Sequence, residues 1–201
     1  MSRTESRMVA LGTEAPAFEL LDVISGKAMS RDDVFALVER EGGERARHGL
    51  LVMFLCVHCP YVKHLEQGIA TLAKDYEGRI AFCAIQSNDI VQYPQDGPEG
   101  MREQASRLGW DFPYLLDEQQ EVARSYGAEC TPDFFLFDGE KKLVYRGQMD
   151  ASRPRRSDGW GNDIAVSGED LRAAMEALLS GAAPLEEQRA SIGCNIKWVT
   201  T

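Results

Sequence analysis

No stretch of this 201-residue sequence approaches the roughly 20 consecutive apolar residues that a membrane-spanning helix needs. Met1 to Ala10 mixes charged and polar residues without an apolar core, so it lacks the form of a secretion signal. Internal repeats and low-complexity segments are absent. Basic residues are outnumbered, 22 Lys and Arg against 32 Asp and Glu, and the resulting formal charge of −10 repels a phosphate backbone over most of the surface. These absences point away from membrane and nucleic-acid partners and toward a cytoplasmic protein. In such a reducing compartment five cysteines are expected to be catalytic, buried or metal-bound rather than structural bridges.

What is present is concentrated in one stretch. Phe54-Leu55-Cys56-Val57-His58-Cys59-Pro60 sets two cysteines three positions apart. An apolar run of strand length, Leu50 to Leu55, precedes them, and Val62, Leu65, Ile69, Leu72 and Tyr76 follow at the spacing of one buried helix face. The thiols therefore sit where a strand becomes a helix. Unpaired backbone N–H groups and the positive end of the helix dipole stabilise a thiolate there. A thiolate beside a second thiol can attack a disulfide and then be released by its neighbour. The same spacing fits half a zinc site, but no second CxxC or paired histidine follows to complete four ligands. Neither metal nor cofactor is expected; a copper-binding variant of the motif would draw on His58 or His64.

Around this centre the chain alternates strands and helices. We expect one domain over residues 1–181, including an N-terminal arm, and a C-terminal tail over 182–201. Leu11 to Leu20 reads as extended, and Asp22 to Met29 as a hairpin turning at Ser25-Gly26-Lys27. Asp32 and Asp33 can cap a short helix burying Val34, Leu37 and Val38, with Gly42-Gly43 ending it. Ile80 to Ile85 is a second unbroken apolar strand, parallel to the first. Ser87 to Gly100 reads as a surface loop, Met101 to Leu108 as a helix, Phe112 to Leu116 as a short strand, and Gln119 to Tyr126 as a helix ended by Gly127. Phe134 to Phe137 and Lys142 to Tyr145 form a hairpin around Asp138-Gly139-Glu140. Ala151 to Val166 is an irregular loop whose Arg153, Arg155 and Arg156 read as solvated. Ser167 and Asp170 open a last helix that packs Leu171, Met175, Leu178 and Leu179 on the sheet.

A strand leading into CxxC at a helix start, a later Thr131-Pro132 before a hairpin, and a closing helix resemble the thioredoxin fold from about Leu11 to Leu179. Leu11-Gly12-Thr13-Glu14-Ala15-Pro16-Ala17-Phe18 resembles the opening of the alkyl hydroperoxide reductase/thiol-specific antioxidant, or redoxin, branch. Val122 to Gly127, Cys130 to Phe135 and Val144 to Gly147 resemble its second half. Gly193-Cys194-Asn195-Ile196 is similar to the tail of some uncharacterised bacterial redoxins. The resemblance implies an α/β thioredoxin fold, a central mixed sheet flanked by helices, with an N-terminal extension and a C-terminal tail. It also implies Cys56 as attacking thiolate, Cys59 as resolving thiol, and Pro132 as a cis-proline bringing the Thr131 backbone against the pair so that a substrate strand can dock.

His58 between the thiols, as in the CxHC motif of protein disulfide isomerases, would tune their potential. Cys130 would lie close to the site, as a third redox thiol or an incidental buried cysteine, Cys83 reads as core, and Cys194 as a further redox thiol, a bridge between subunits, or a residue folded back on the domain. The function implied is thiol–disulfide exchange with protein disulfides or dithiols. Two alternatives stand beside it. The first is a peroxidase with Cys59 as peroxidatic cysteine, although Cys56 stands where peroxiredoxins carry threonine and Pro132 where they carry arginine. The second is a non-catalytic module binding a metal or a partner. The sequence leaves the oligomeric state open.

Overall fold

The computed structural model describes residues 3–38, 48–155 and 159–200. Three short strands open it, β1 (Arg3–Glu5), β2 (Glu19–Asp22) and β3 (Ala28–Ser30), followed by α1 (Arg31–Phe35). The centre comprises β4 (Gly49–Phe54), α2 (Pro60–Asp75), β5 (Ile80–Gln86), α3 (Pro98–Leu108), β6 (Tyr114–Leu116) and α4 (Glu121–Tyr126). The remainder is β7 (Cys130–Thr131), β8 (Asp133–Asp138), β9 (Leu143–Gly147), α5 (Glu169–Ser180) and β10 (Ile192–Asn195). Among the described residues no helix is long and apolar enough to cross a membrane.

Seven strands form the main sheet in the order β3-β2-β6-β5-β4-β8-β9. The pairs β4–β5 and β5–β6 run parallel, and the others antiparallel. All residues of β4 and β5 are buried, which is why their sequences are unbroken apolar runs instead of alternating ones. Alternate β4 side chains serve opposite faces. Leu51 and Met53 pack with α2, α3 and α5, while Leu50, Val52 and Phe54 pack with α1 and α4. On the second face the Tyr126 ring lies 5.5 Å from Phe54 and 5.9 Å from both Phe135 and Phe137. This is the mixed sheet flanked by helices that the sequence leads one to expect, and the buried face of α2 is the one read from its spacing.

Several local expectations are corrected. The cap of α1 is Ser30, whose side chain accepts from the Asp33 N–H while the Asp33 carboxylate accepts from the Ser30 N–H; Asp33 is the third residue of the helix, not its cap. Leu37 is exposed, and Gly42-Gly43 lies outside the described residues. Helix α5 is capped by Gly168 at φ 69°, and the buried Asp150 carboxylate accepts from the Ser167 and Gly168 N–H groups ahead of it. Arg153 is wired inward, donating to the carbonyls of Asp150 and Ser152 and to Gln148, whereas Arg155 makes an exposed pair with Asp163 and Arg156 is not described. The stretch from Ser87 to Gly100 is not simply a surface loop, since Ser87, Asn88, Asp89 and Asp96 are buried.

The tail also departs from its polar composition. It folds back as β10, between β1 and β7 in a second, three-stranded sheet, burying Cys194 and Ile196. The aromatic packing beneath the sheet gives a direct check. Phe135→Ala, which deletes a ring only 1% exposed, is expected to lower the unfolding free energy by about 3–5 kcal/mol in urea denaturation.

Candidate active site

Strand β4 ends at Phe54, and α2 begins at Pro60, whose missing N–H costs nothing in the first helical turn. That makes Cys59, not Cys56, the residue at the helix mouth, with φ −68° and ψ 125°. Opposite it the Thr131–Pro132 peptide bond is cis. Thr131 meets both sulfurs: its Oγ1 lies 3.2 Å from Cys56 Sγ, and its carbonyl oxygen 3.2 Å from Cys59 Sγ. Both cysteines are fully buried.

The two sulfurs have opposite electrostatics. Burial pushes the Cys56 thiol well above its ordinary value, the neighbouring Cys59 sulfur and the Asp96 carboxylate add to this, and the Thr131 hydroxyl opposes it only in part. Burial would also raise Cys59. There it is outweighed by hydrogen bonds from the Cys194 and Cys56 thiols and from the Val62 and Cys194 backbones, so its pKa falls well below that of a free thiol. The Thr131 carbonyl favours a protonated Cys59, but one acceptor faces several donors. These shifts make Cys59 the more acidic of the two sulfurs, where the resemblance implies Cys56 as the thiolate.

His58 does not reach the pair as a simple donor. Its Nδ1 is 2.6 Å from Asp96 Oδ2, and its ring stacks on Tyr93 at 5.3 Å with 7° between planes. Asp96 Oδ1 accepts from the backbone N–H of Val57 and of His58, and Oδ2 accepts from Asn88 Nδ2. Burial raises the pKa of this carboxyl, but the hydrogen bonds from His58 and Asn88 outweigh that and hold it below the usual value. Asp96 thus fixes the turn between the cysteines. Nothing in a polar, proline-containing loop marked it in advance, because the loop's inward face is set by contacts distant in sequence. Cys56, His58 and Asp96 each place one ligand-type atom within 4.8 Å of the others. With both Asp96 oxygens committed to N–H donors, the cluster reads as a hydrogen-bonded brace rather than a metal cage.

The remaining expected residues separate. Cys194 is brought to Cys59 by β10. Cys130 is buried beside the site, but its sulfur turns to the Pro132 carbonyl at 3.6 Å. Cys83 is a core residue of β5, and burial raises its pKa. His64 is partly buried and bonded to Ser152 at 3.0 Å.

Comparison with known proteins shows the family. The AhpC/TSA family model matches residues 11–146. The chain belongs to the AhpC/TSA family. This redoxin is similar to an uncharacterized conserved protein from Geobacillus kaustophilus, 46% identical with TM-score 0.89, the match covering 100% of this chain and 98% of that one. It is similar also to a hypothetical protein from Sinorhizobium meliloti 1021, 40% identical with TM-score 0.87, covering 98% and 100%. A peroxidoxin, BcpB from Mycobacterium tuberculosis, shares the thioredoxin-like fold at 17% identity and TM-score 0.55, covering 85% and 96%. No curated protein matches. The family makes this redoxin a thioredoxin-like oxidoreductase.

Two measurements check the site. Ultraviolet thiolate absorbance of the reduced redoxin is expected to retain one charge well below the ordinary thiol range in wild type and in Cys56→Ser, and to lose it in Cys59→Ser. Asp96→Asn is expected to cost about 2–3 kcal/mol near neutral pH, the scale of hydrogen bonds to a charged group. Because the Asp96 pKa is lowered on folding, its stabilisation is complete above the unfolded carboxylate range and is lost as pH falls through the folded value. Urea melts of wild type and Asp96→Asn should therefore converge in acid.

Proposed function

We propose that this redoxin is a thiol–disulfide oxidoreductase whose Cys56/Cys59 dithiol exchanges disulfides with protein substrates. The observation that carries the reading is Thr131, whose hydroxyl meets one sulfur and whose carbonyl meets the other at the cis-proline turn. Two thiols held against one residue are poised to join, and the backbone beside them is the edge on which an extended peptide pairs. The charge at rest favours Cys59 as attacking sulfur. It displaces one sulfur of the substrate disulfide to give a mixed disulfide. Cys56 then attacks Cys59, releasing the second substrate sulfur and leaving Cys56–Cys59 oxidised as the substrate is reduced by two electrons. This reverses the roles that the resemblance implies for the pair.

A second reading has one observation in its favour. A Cys59 thiol at the helix mouth, its pKa lowered by neighbouring donors and followed by Pro60, suits a peroxidatic cysteine. Against it, the groups acting most strongly on the two sulfurs are thiols, a threonine, a carboxylate and backbone amides, without a guanidinium to polarise a peroxide.

Insulin reduction and hydrogen peroxide consumption, assayed in parallel, separate the two. Wild type is expected to reduce insulin, with turnover lowered on the order of a hundredfold or more in both Cys56→Ser and Cys59→Ser. Cys56→Ser should accumulate a mixed disulfide on Cys59; accumulation in Cys59→Ser instead would restore Cys56 as attacker. Peroxide turnover surviving in Cys56→Ser and absent from Cys59→Ser, without insulin reduction, would replace exchange by peroxidase chemistry.

A further inference from the structure

The peptide-pairing edge of β7 is already covered. Strand β10 runs antiparallel to it, with Cys194 opposite Thr131 and Asn195 opposite Cys130. The approach is so close that a Cβ on Gly193 would stand 2.1 Å from the Thr131 oxygen and 3.1 Å from the Pro132 nitrogen. On its other side β10 is held by β1, with Thr4 opposite Gly193. Cys194 is 2% exposed, and its thiol is hydrogen-bonded to Cys59, which is in turn hydrogen-bonded to Cys56. Cys59 is the sulfur on which both the Cys194 and the Cys56 thiols act, and its own contact is with the Thr131 carbonyl that β10 lies against, whereas Cys130 turns to the Pro132 carbonyl.

We propose that β10 is a built-in substrate strand and that Cys194 is a third redox thiol, exchanging disulfide with the CxxC pair through Cys59. The inference rests on the dithiol reading above and names its first partner, the chain's own tail. Starting from the Cys56–Cys59 disulfide, the Cys194 thiolate attacks Cys59 Sγ. The Cys59–Cys194 bond forms as the Cys56–Cys59 bond breaks, and the electron pair passes to Cys56 Sγ with the proton that Cys194 gave up. One disulfide is exchanged for another, so no oxidant or reductant is consumed, and attack by Cys56 on Cys59 reverses the step. The burial that favours a protonated Cys56 suits it to hold that proton. An external peptide would take the same edge, so tail and substrate are alternative partners of one sulfur.

The test is disulfide mapping of the full-length chain, reduced, treated with stoichiometric diamide, alkylated and digested with trypsin without reductant. Cys56 and Cys59 share the peptide 48–63, and Cys194 lies in 190–197. In monomeric Cys56→Ser the two peptides are expected to be linked, and Cys194→Ser in the same background should abolish the link. Gly193→Val keeps the thiol but cannot seat the strand; in the Cys56→Ser background it should form the link about tenfold more slowly or worse, as expected when a preorganised partner becomes merely tethered. Alkylated Cys59 in Cys56→Ser, linkage to another cysteine, linkage only between chains, or an unchanged rate in Gly193→Val would each overturn the proposal. The wild-type digest separates its failure from that of the underlying reading. Closure of Cys56–Cys59 without any link in Cys56→Ser sinks the tail's role alone; failure of the pair to close, with no insulin reduction, sinks dithiol exchange itself.

Discussion

The contact between Thr131 and the two cysteines organises the site, because it joins three parts of the chain that have no local reason to meet. The cysteines arrive at the end of β4, in the middle of the sheet, where burial on both faces fixes the strand's height and register. Thr131 arrives through β7, and the cis peptide bond after it lets the chain turn directly into β8, which pairs with β4. Sheet register therefore sets the distance between the sulfurs and their partner backbone. A one-residue slip of β8 against β4 would turn Phe135 and Phe137 to the wrong face and carry Thr131 away from the thiols.

Within that frame the two sulfurs are made unequal by their neighbours. Cys59 stands at the helix mouth and collects hydrogen-bond donors, while Cys56 faces a carboxylate across the turn. Asp96 holds the turn through two backbone N–H groups and orients the His58 ring, which Tyr93 covers. His58 is thus attached to the scaffold of the site, and any influence on the potential passes through Asp96 as well as acting directly.

Much of this is legible in the sequence because it is local or periodic. The β4 and β5 runs, the apolar face of α2, the β8–β9 hairpin and the Thr131-Pro132 pair all carry short-range signatures, and the CxxC marks the site. What escaped depends on contacts far apart in the chain. Asp96 looks like any loop aspartate until α3 and the β5 end turn it inward. The helix starts at Pro60, which puts Cys59 rather than Cys56 at the dipole's end, and motif spacing alone does not report which of two thiols three positions apart stands there. The tail's composition is that of an exposed segment; its burial comes from pairing with β1 and β7, strands too short to announce themselves.

The order in which these strands are made has a consequence of its own. Translation supplies β10 after every other described strand, so a nascent chain completes its reactive groove before it possesses the cover. The connection leading to that cover is largely exposed from Ala182 to Glu187, a segment open to a protease. Cleavage there would leave β10 and the residues after it held by noncovalent contacts alone, their strand pairing, buried side chains and hydrogen bonds to Asn88 and Gln120, so that the groove could be uncovered by dissociation of a fragment rather than by bending of an intact chain.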